Sequence, residues 1–170
     1  YREDPIILDP RHKDLGARLI INLEKLYLSL KKLDLKDNKI ENYYTQSHEL
    51  GIVPKNLNKL QNKLFGIECN YEELNGIDFK KGCYVGQENT ARIKLKNKLS
   101  KRLLPIKIIE GKLIEDEKIY NSDFEIGKIL INEGYPFGLI KYLDENFDKN
   151  QTFKSKNGSF KISIPQWLKI

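Results

Sequence analysis

The sequence predicts an α+β fold in two parts, with mixed helices and strands over residues 1–101 and a small β-rich domain over residues 102–170. Apolar residues at helical spacing, with helix-ending signals, occur only in the first part. Short β-branched runs separated by turn residues fill the second part. The 170 residues suffice to bury a core, and 39% hydrophobic with 32% charged residues is typical of a globular protein.

The first part alternates between strand and helix signals. A short apolar run at residues 5–8 is closed by an Asp-Pro turn, and Leu15–Ile21 predicts a strand. Leucines at positions 23, 26 and 30 predict a helix after it. A second helix is expected over Asp37–His48, with Gly51 just beyond its end. A short helix is expected near Leu57–Leu64.

The second part contains several strand candidates: Leu103–Ile109, Lys112–Ile119, Phe124–Ile131 and Phe160–Ile164. Gly138–Tyr142 fits either another strand or a helical turn. The Asn157–Gly158 pair predicts a hairpin turn. Residues from about 102 to 170 are therefore predicted to form a small β-rich domain.

Between the two parts, Arg92–Leu99 alternates basic and apolar residues, and we predict a strand. Its basic face carries Lys94, Lys96 and Lys98, spaced about 6 to 7 Å apart on a strand. Such a stripe suits successive anionic groups, so RNA binding is one functional alternative. A solvated strand face is the other interpretation, and no aromatic residues interleave to stack bases.

The octapeptide Lys81–Glu88 is the most informative segment of the chain. It places Cys83 between Gly82 and Gly86, and these glycines permit backbone angles and close approaches that other residues forbid. Lysines precede the thiol, and cations near a thiol favour the reactive thiolate. Two interpretations follow from the residues, a functional cysteine or a small buried cysteine that packs as a hydrophobe.

Composition limits the remaining chemistry. Cys69 and Cys83 are too few for a disulfide scaffold and, with only His12 and His48, predict no self-contained metal site. No apolar run approaches the roughly 18 residues that cross a bilayer, so we expect no membrane partner. The net charge of +6 is moderate. The chain lacks methionine, which indicates a fragment or a processed product.

The octapeptide and its surroundings resemble the YgfZ family, folate-binding-type proteins of iron–sulfur metabolism related to the glycine-cleavage T-protein. The similarity spans nearly the whole chain in the expected order. Besides the octapeptide, it is carried by Asp9–Arg11, Leu15–Arg18, Glu68–Asn70, Gly76–Lys80, Thr90–Arg92, Leu103–Pro105 and Ile164–Trp167.

The resemblance implies a fold and a function. Residues 1–101 are expected to form the C-terminal portion of a T-protein-like folate-binding body, and residues 102–170 a small antiparallel β-barrel. The implied function is a tetrahydrofolate-binding factor for assembly, insertion or repair of 4Fe–4S clusters in client proteins, including tRNA-modifying radical enzymes. The implied location is the bacterial cytoplasm, or the mitochondrial matrix in a eukaryote.

The resemblance also assigns roles to residues of the octapeptide and the segment after it. Cys83 becomes the functional thiol, acting in transient iron or cluster ligation, thiol chemistry on a one-carbon unit, or redox sensing. Lys81, Gln87 and Glu88 are expected near the folate; Gln87 and Glu88 alternatively begin a helix or cap the turn. Arg92 is expected to hold an anionic ligand or to form an ion pair.

One segment departs from the family pattern. Where relatives often carry an arginine, this chain has Ser47-His48-Glu49 before Gly51. Glu49 falls where the T-protein places the carboxylate that binds the pterin ring, and a carboxylate suits paired N–H donors. Its alternative is an exposed residue at a helix end. A folate-dependent aminomethyltransferase is a further functional alternative.

Five residues receive structural rather than chemical roles. Asp9 and Arg11 are expected to form a salt bridge in a turn, and His12 beside them a surface position. Cys69 is expected to pack. Trp167 is expected in the core, on the last strand.

Overall fold

The computed structural model describes residues 6–95 and 99–169. In the first part, two short antiparallel strands precede the helices, and 3-10 turns lie at Lys13–Leu15 and Leu57–Leu60. The strands and helices are β1 (Ile6–Leu8), β2 (Ala17–Leu19), α1 (Leu23–Lys32), α2 (Ile40–Glu49) and α3 (Gln87–Leu95). None of these described helices is long and apolar enough to cross a membrane.

The second part is a closed six-stranded barrel in which every neighbouring pair is antiparallel. Around the barrel the order is β3-β6-β5-β4-β7-β8. Its strands are β3 (Arg102–Gly111), β4 (Lys118–Asn121), β5 (Phe124–Ile131), β6 (Phe137–Ile140), β7 (Phe153–Lys154) and β8 (Gly158–Ile162). The predicted mixture of helices and strands and the antiparallel barrel are confirmed. The T-protein-like character of the first part and the division near residue 101 stay predictions.

Strand β3 closes the barrel because it changes partner along its length. Its residues up to Pro105 pair with β6, and those from Ile106 onward pair with β8. Proline has no backbone N–H and is tolerated where a ladder is interrupted. At this position the Pro105 carbonyl accepts a hydrogen bond from Ser163 N at 2.9 Å.

The barrel interior is a close-packed aliphatic and aromatic core, and a second apolar cluster joins it to the first part of the chain. In that second cluster Leu60 and Cys69 pack with Leu103, Leu130 and Phe137. The barrel core comprises Leu104, Ile106, Leu113, Ile119, Ile126, Ile129, Ile140, Phe153, Phe160, Ile162 and Leu168. The two parts therefore share buried surface.

Most predicted elements are confirmed. The strand predicted over Phe124–Ile131 has those limits, and the Gly138 segment is a strand rather than a helical turn. Asn157 lies in the turn between β7 and β8, and Gly158 is the first residue of β8. The strand predicted over Lys112–Ile119 is mostly wrong: β4 begins only at Lys118, because Asp116, with φ of 65°, forms a turn before it.

The strand predicted over Arg92–Leu99 is wrong where the structure describes it. Gln87–Leu95 is a continuous helix, and Lys96 and Lys98 lie outside the described residues. Gln, Glu, Ala, Arg, Lys and Leu are good helix formers, and four alternating residues fit a helix as well as a strand. The strand face proposed to bind RNA therefore does not form over Arg92–Leu95.

Contacts near the N-terminus confirm one structural prediction and correct two others. The salt bridge between Asp9 and Arg11 is present at 2.8 Å, and Arg18 adds a second at the same distance. His12 is half-buried, with its ring centroid 6.3 Å from that of Trp167, so it is not an isolated surface residue. Trp167 packs against the core but lies beyond β8 rather than in a strand.

Candidate functional site

Cys83 lies on an exposed loop that leads into helix α3. Every residue from Lys81 to Gly86 is exposed, and the thiol is free. Helix α3 begins at Gln87, four residues after the cysteine. The octapeptide therefore presents its sulfur to solvent rather than to the core, which contradicts the interpretation of Cys83 as a buried packing residue.

Reciprocal hydrogen bonds hold this loop against the start of the helix. The Tyr84 N–H donates to the Gln87 side-chain oxygen, and the Gln87 N–H donates to the Tyr84 carbonyl, each at 3.3 Å. Gly86, at φ of 85°, supplies a backbone angle that favours glycine. Gln87 thus begins the helix and caps the turn, as one of its two interpretations predicted. Its contact with folate stays a prediction.

Lysines on both sides of the loop stack on aromatic rings. The Lys81 ammonium lies 4.6 Å from the centroid of the Tyr84 ring, and the Lys94 ammonium lies 5.5 Å from that of Phe79. Lys94 also forms an ion pair with Glu72. This ion pair links helix α3 to the segment that precedes the octapeptide.

Glu88 and Arg92 are exposed on α3, one helical turn apart. Across residues 6–95 and 99–169, neither side chain forms an ion pair. Their predicted roles in ligand binding stay predictions.

Glu49 lies on a different element, as the last residue of α2, where its side chain is exposed. Within the described parts of the chain, no hydrogen bond or ion pair joins its side chain to the octapeptide. Its neighbour His48 is half-buried and fixes the helix end, since Nε2 donates to the Pro136 carbonyl oxygen at 2.9 Å. Burial lowers the pKa of His48, although this hydrogen bond and the Glu49 charge oppose the shift.

Cys69 differs from Cys83 in its burial. It is buried in the cluster between the two parts of the chain, and burial raises its pKa to about 12. A protonated, enclosed thiol is inert as a nucleophile or metal ligand. The predicted packing role of Cys69 is confirmed.

A cavity of about 290 Å³ lies beneath the segment after Glu49. Its wall is mainly apolar and includes Ile52, Leu60, Cys69, Tyr71 and Leu103. None of the six predicted site residues lines it. The structure thus places five of them along the loop and α3, Glu49 at the end of α2, and none in this cavity.

A buried polar network centres on Asn70, and the sequence patterns did not predict it. Asn70 is fully buried with φ of 62°; its side chain donates to the Leu103 carbonyl at 2.9 Å and accepts from Arg102 at 3.1 Å. Arg102 also pairs with Glu73 at 2.6 Å. No local pattern marks these residues, because their partners come from distant parts of the sequence.

Among the described residues, no cluster of three or more His, Cys, Asp or Glu side chains is arranged to hold a metal ion. Cys83 therefore stands as a single accessible sulfur on a capped loop. Such a thiol is able to contribute one ligand, to attack an electrophile, or to be oxidised reversibly.

Comparison with known proteins gives relatives of two kinds, iron–sulfur cluster assembly factors and a tRNA-modifying protein. The chain is 34% identical over 122 residues to the mitochondrial iron–sulfur cluster assembly factor IBA57 homolog of Dictyostelium discoideum, covering 67% of this chain and 29% of that protein. It is 34% identical over 108 residues to human mitochondrial IBA57, covering 62% and 29%. It is 38% identical over 109 residues to the tRNA-modifying protein YgfZ of Buchnera aphidicola, covering 61% and 33%.

No family model matches the chain. The chain spans about a third or less of the length of these curated relatives. The similarity to both kinds of relative confirms the family to which the octapeptide pointed. The chain belongs to the family that contains YgfZ and the iron–sulfur cluster assembly factor IBA57.

Proposed function

We propose that this chain carries the functional thiol of a factor that assembles, inserts or repairs 4Fe–4S clusters in client proteins. The observation that carries the proposal is the environment of Cys83, an exposed sulfur on a glycine-flanked loop capped by Gln87. The names of the relatives support the iron–sulfur part of the proposal.

The geometry suits a thiol that must meet another macromolecule. A Cβ added at Gly82 would have no heavy atom within 4 Å, so the backbone beside the cysteine is open to an approaching partner. Val85, two residues beyond the sulfur, is fully exposed and offers an apolar contact. The hydrogen bonds to Gln87 hold the loop in one conformation, which lowers the entropy lost when a partner binds.

Replacing Cys83 tests this function directly. In cells that lack the endogenous factor, Cys83→Ser is expected to abolish most of the rescue of a 4Fe–4S client enzyme, because the oxygen is a far weaker ligand and nucleophile for this chemistry. Cys69→Ala, with its fold checked by circular dichroism, is the matched control and should retain rescue. Full rescue by Cys83→Ser would refute the role of the thiol.

Tetrahydrofolate is the small molecule that we propose for this factor. Glu49 accepts hydrogen bonds from the amino and N–H groups of the pterin ring, and Lys81, Gln87, Glu88 and Arg92 contribute to the rest of the site. The exposed carboxylate of Glu49, on a helix end held by His48, supports this assignment.

Folate binding is tested by titrating tetrahydrofolate into the protein and following the heat released. Glu49→Gln keeps the size of the side chain but is expected to weaken binding about 10-fold or more, since a charge-assisted pair becomes a neutral one. Glu41→Gln, on the first turn of the same helix, is the control. Equal affinity for wild type and Glu49→Gln would remove Glu49 from the site without affecting the Cys83 proposal.

The clients and the location are further parts of the proposal. Radical enzymes that modify tRNA are the proposed clients, supported by the name of the YgfZ relative. A mitochondrial matrix location in a eukaryote is supported by the mitochondrial relatives. The bacterial cytoplasm is the corresponding location in a bacterium.

A further inference from the structure

Helix α1 exposes apolar side chains that residues 6–95 and 99–169 leave uncovered. None of its ten residues is buried, and three of its apolar side chains are strongly exposed: Leu23 (82%), Tyr27 (73%) and Leu28 (66%). An isolated helix of this length is marginal in water unless one face packs against another surface. The helix therefore presents a face that a further surface would stabilise.

The exposed face has a definite composition. With about 100° of rotation per residue, five side chains fall within an arc of about 140° on one side of the helix: Leu23, Glu24, Tyr27, Leu28 and Lys31. We call this set the α1 face. The half-buried residues Leu26, Ser29 and Leu30 fall in a separate arc of about 100°, which borders the α1 face where Leu30 adjoins Leu23. The pattern of burial thus agrees with the helical geometry.

The charges of the α1 face are arranged with opposite signs at its two ends. Glu24 lies in the first turn of the helix and Lys31 in the last. Neither side chain has a recorded ion-pair or hydrogen-bond partner within the described parts of the chain. A partner that satisfies the α1 face must offer a cation opposite Glu24, an anion opposite Lys31, and an apolar surface between them.

A second copy of the same helix, running antiparallel, offers this arrangement. When the two helices cross at their midpoints, Tyr27 of one copy meets Leu28 of the other, and Glu24 meets Lys31 of the second copy. Two-fold symmetry repeats both contacts. The antiparallel direction also opposes the two helix dipoles favourably. A parallel pairing would instead place like charges together.

We propose that the α1 face is a self-association surface through which two copies of this chain pair their α1 helices antiparallel. The proposal rests on α1 alone and not on the function proposed for Cys83. A single pair of ten-residue helices buries less than the roughly 1,200 Å² of a standard interface, so the dimer is weak and depends on concentration.

Charge exchange provides the test, with molecular mass measured by sedimentation equilibrium at low ionic strength over rising protein concentration. The wild type is expected to approach twice the monomer mass. Glu24→Lys alone places like charges together twice, and so does Lys31→Glu alone, so each variant should remain monomeric. An equimolar mixture of the two variants restores both attractive pairs and should dimerise at least as well as wild type.

An apolar substitution provides the second arm. Leu28→Asp is expected to abolish the mass increase, whereas Leu143→Asp, at a leucine of the second part with 63% exposure, should leave it unchanged. Circular dichroism confirms that each variant is folded. A wild type that stays monomeric throughout, single charge variants that dimerise as wild type does, or a mixture that fails to dimerise would each overturn the proposal.

Discussion

At the scale of single residues, the two cysteines show how environment divides identical side chains between packing and chemistry. Cys69 is enclosed by apolar side chains of both parts of the chain, and its pKa is raised to about 12. Cys83 is exposed on a loop. Reactivity of a thiol depends on access and on thiolate content, so only Cys83 is suited to a reaction.

Thiol labelling should reveal this division. Native protein treated with iodoacetamide is expected to gain one adduct, on Cys83, while Cys69 reacts only after unfolding in urea. Mass spectrometry of intact protein and of its peptides measures both adducts. Cys83→Ser should gain no adduct under native conditions, and native labelling of Cys69 at the rate of Cys83 would contradict the burial described.

His48 predicts a pH dependence of stability. Burial lowers its pKa below the ordinary value of 6.5, so the unfolded chain takes up a proton at a higher pH than the folded protein does. The contribution of neutral His48 to the free energy of unfolding is therefore complete above pH 6.5. It is lost as the pH falls below that value toward the lower pKa of His48 in the folded protein. Nε2, which donates to the Pro136 carbonyl, remains a donor in both forms.

Urea unfolding of wild type and His48→Gln, at about pH 7.5 and about pH 5.5, measures this effect. The free energy of unfolding of the wild type is expected to fall more over this interval than that of the variant, in which no group titrates at position 48. The same decrease in both proteins would show that His48 does not contribute.

At the scale of elements, the end of α2 depends on one glycine. Gly51 follows the helix with φ of 70°, and a Cβ added there would overlap Cγ of Pro165. This contact brings the C-terminal segment against the helix that carries Glu49. Trp167 reinforces it, because its Nε1 donates to the Leu50 carbonyl at 2.8 Å.

Gly51→Ala is therefore expected to destabilise the protein by about 3 kcal/mol, from a strained backbone angle together with the overlap. Gly134→Ala is the matched control, since Gly134 has φ of 67° but no atom within 4 Å of an added Cβ. Backbone strain alone should lower the free energy of unfolding of Gly134→Ala by about 1 kcal/mol. Equal losses in urea unfolding would show that Pro165 adjusts without penalty.

Helix α3 shows why local patterns mislead at this scale. Alternating residues after Thr90 satisfied the strand period, although the same residues have good helix propensity. Gln87 resolves the conflict, because its hydrogen bonds with Tyr84 start a helix immediately after Gly86. The ion pair between Lys94 and Glu72 then holds that helix.

At the scale of the whole molecule, Asn70 and Arg102 join the segment before the octapeptide to the first barrel strand. Asn70 bonds the Leu103 carbonyl and the Arg102 guanidinium, and Arg102 also pairs with Glu73. Buried groups that lose such partners keep the full penalty of desolvation. We therefore expect the first part of the chain and the barrel to unfold together.

Asn70→Ala is expected to lower the free energy of unfolding by about 3 kcal/mol, because two buried partners lose their hydrogen bonds and the backbone is strained. Asn62→Ala is the control: Asn62 has φ of 59° but is exposed, so strain alone should cost about 1 kcal/mol. Urea unfolding followed by fluorescence and by circular dichroism measures both. Separate unfolding transitions for the two probes would contradict the role of Asn70 in joining the two parts of the chain. Equal losses of unfolding free energy in the two variants would contradict it as well.

The sequence alone determined the α+β class, most strands of the second part and the octapeptide, because each depends on residues close together along the chain. The resemblance to a known family identified the antiparallel barrel and singled out Cys83. Only the tertiary structure decided that Cys83 is exposed while Cys69 is buried, since burial depends on residues such as Leu103 that lie far away in sequence. It also decided the network of Asn70 and Arg102 and the uncovered face of α1, because packing between distant segments has no local signal.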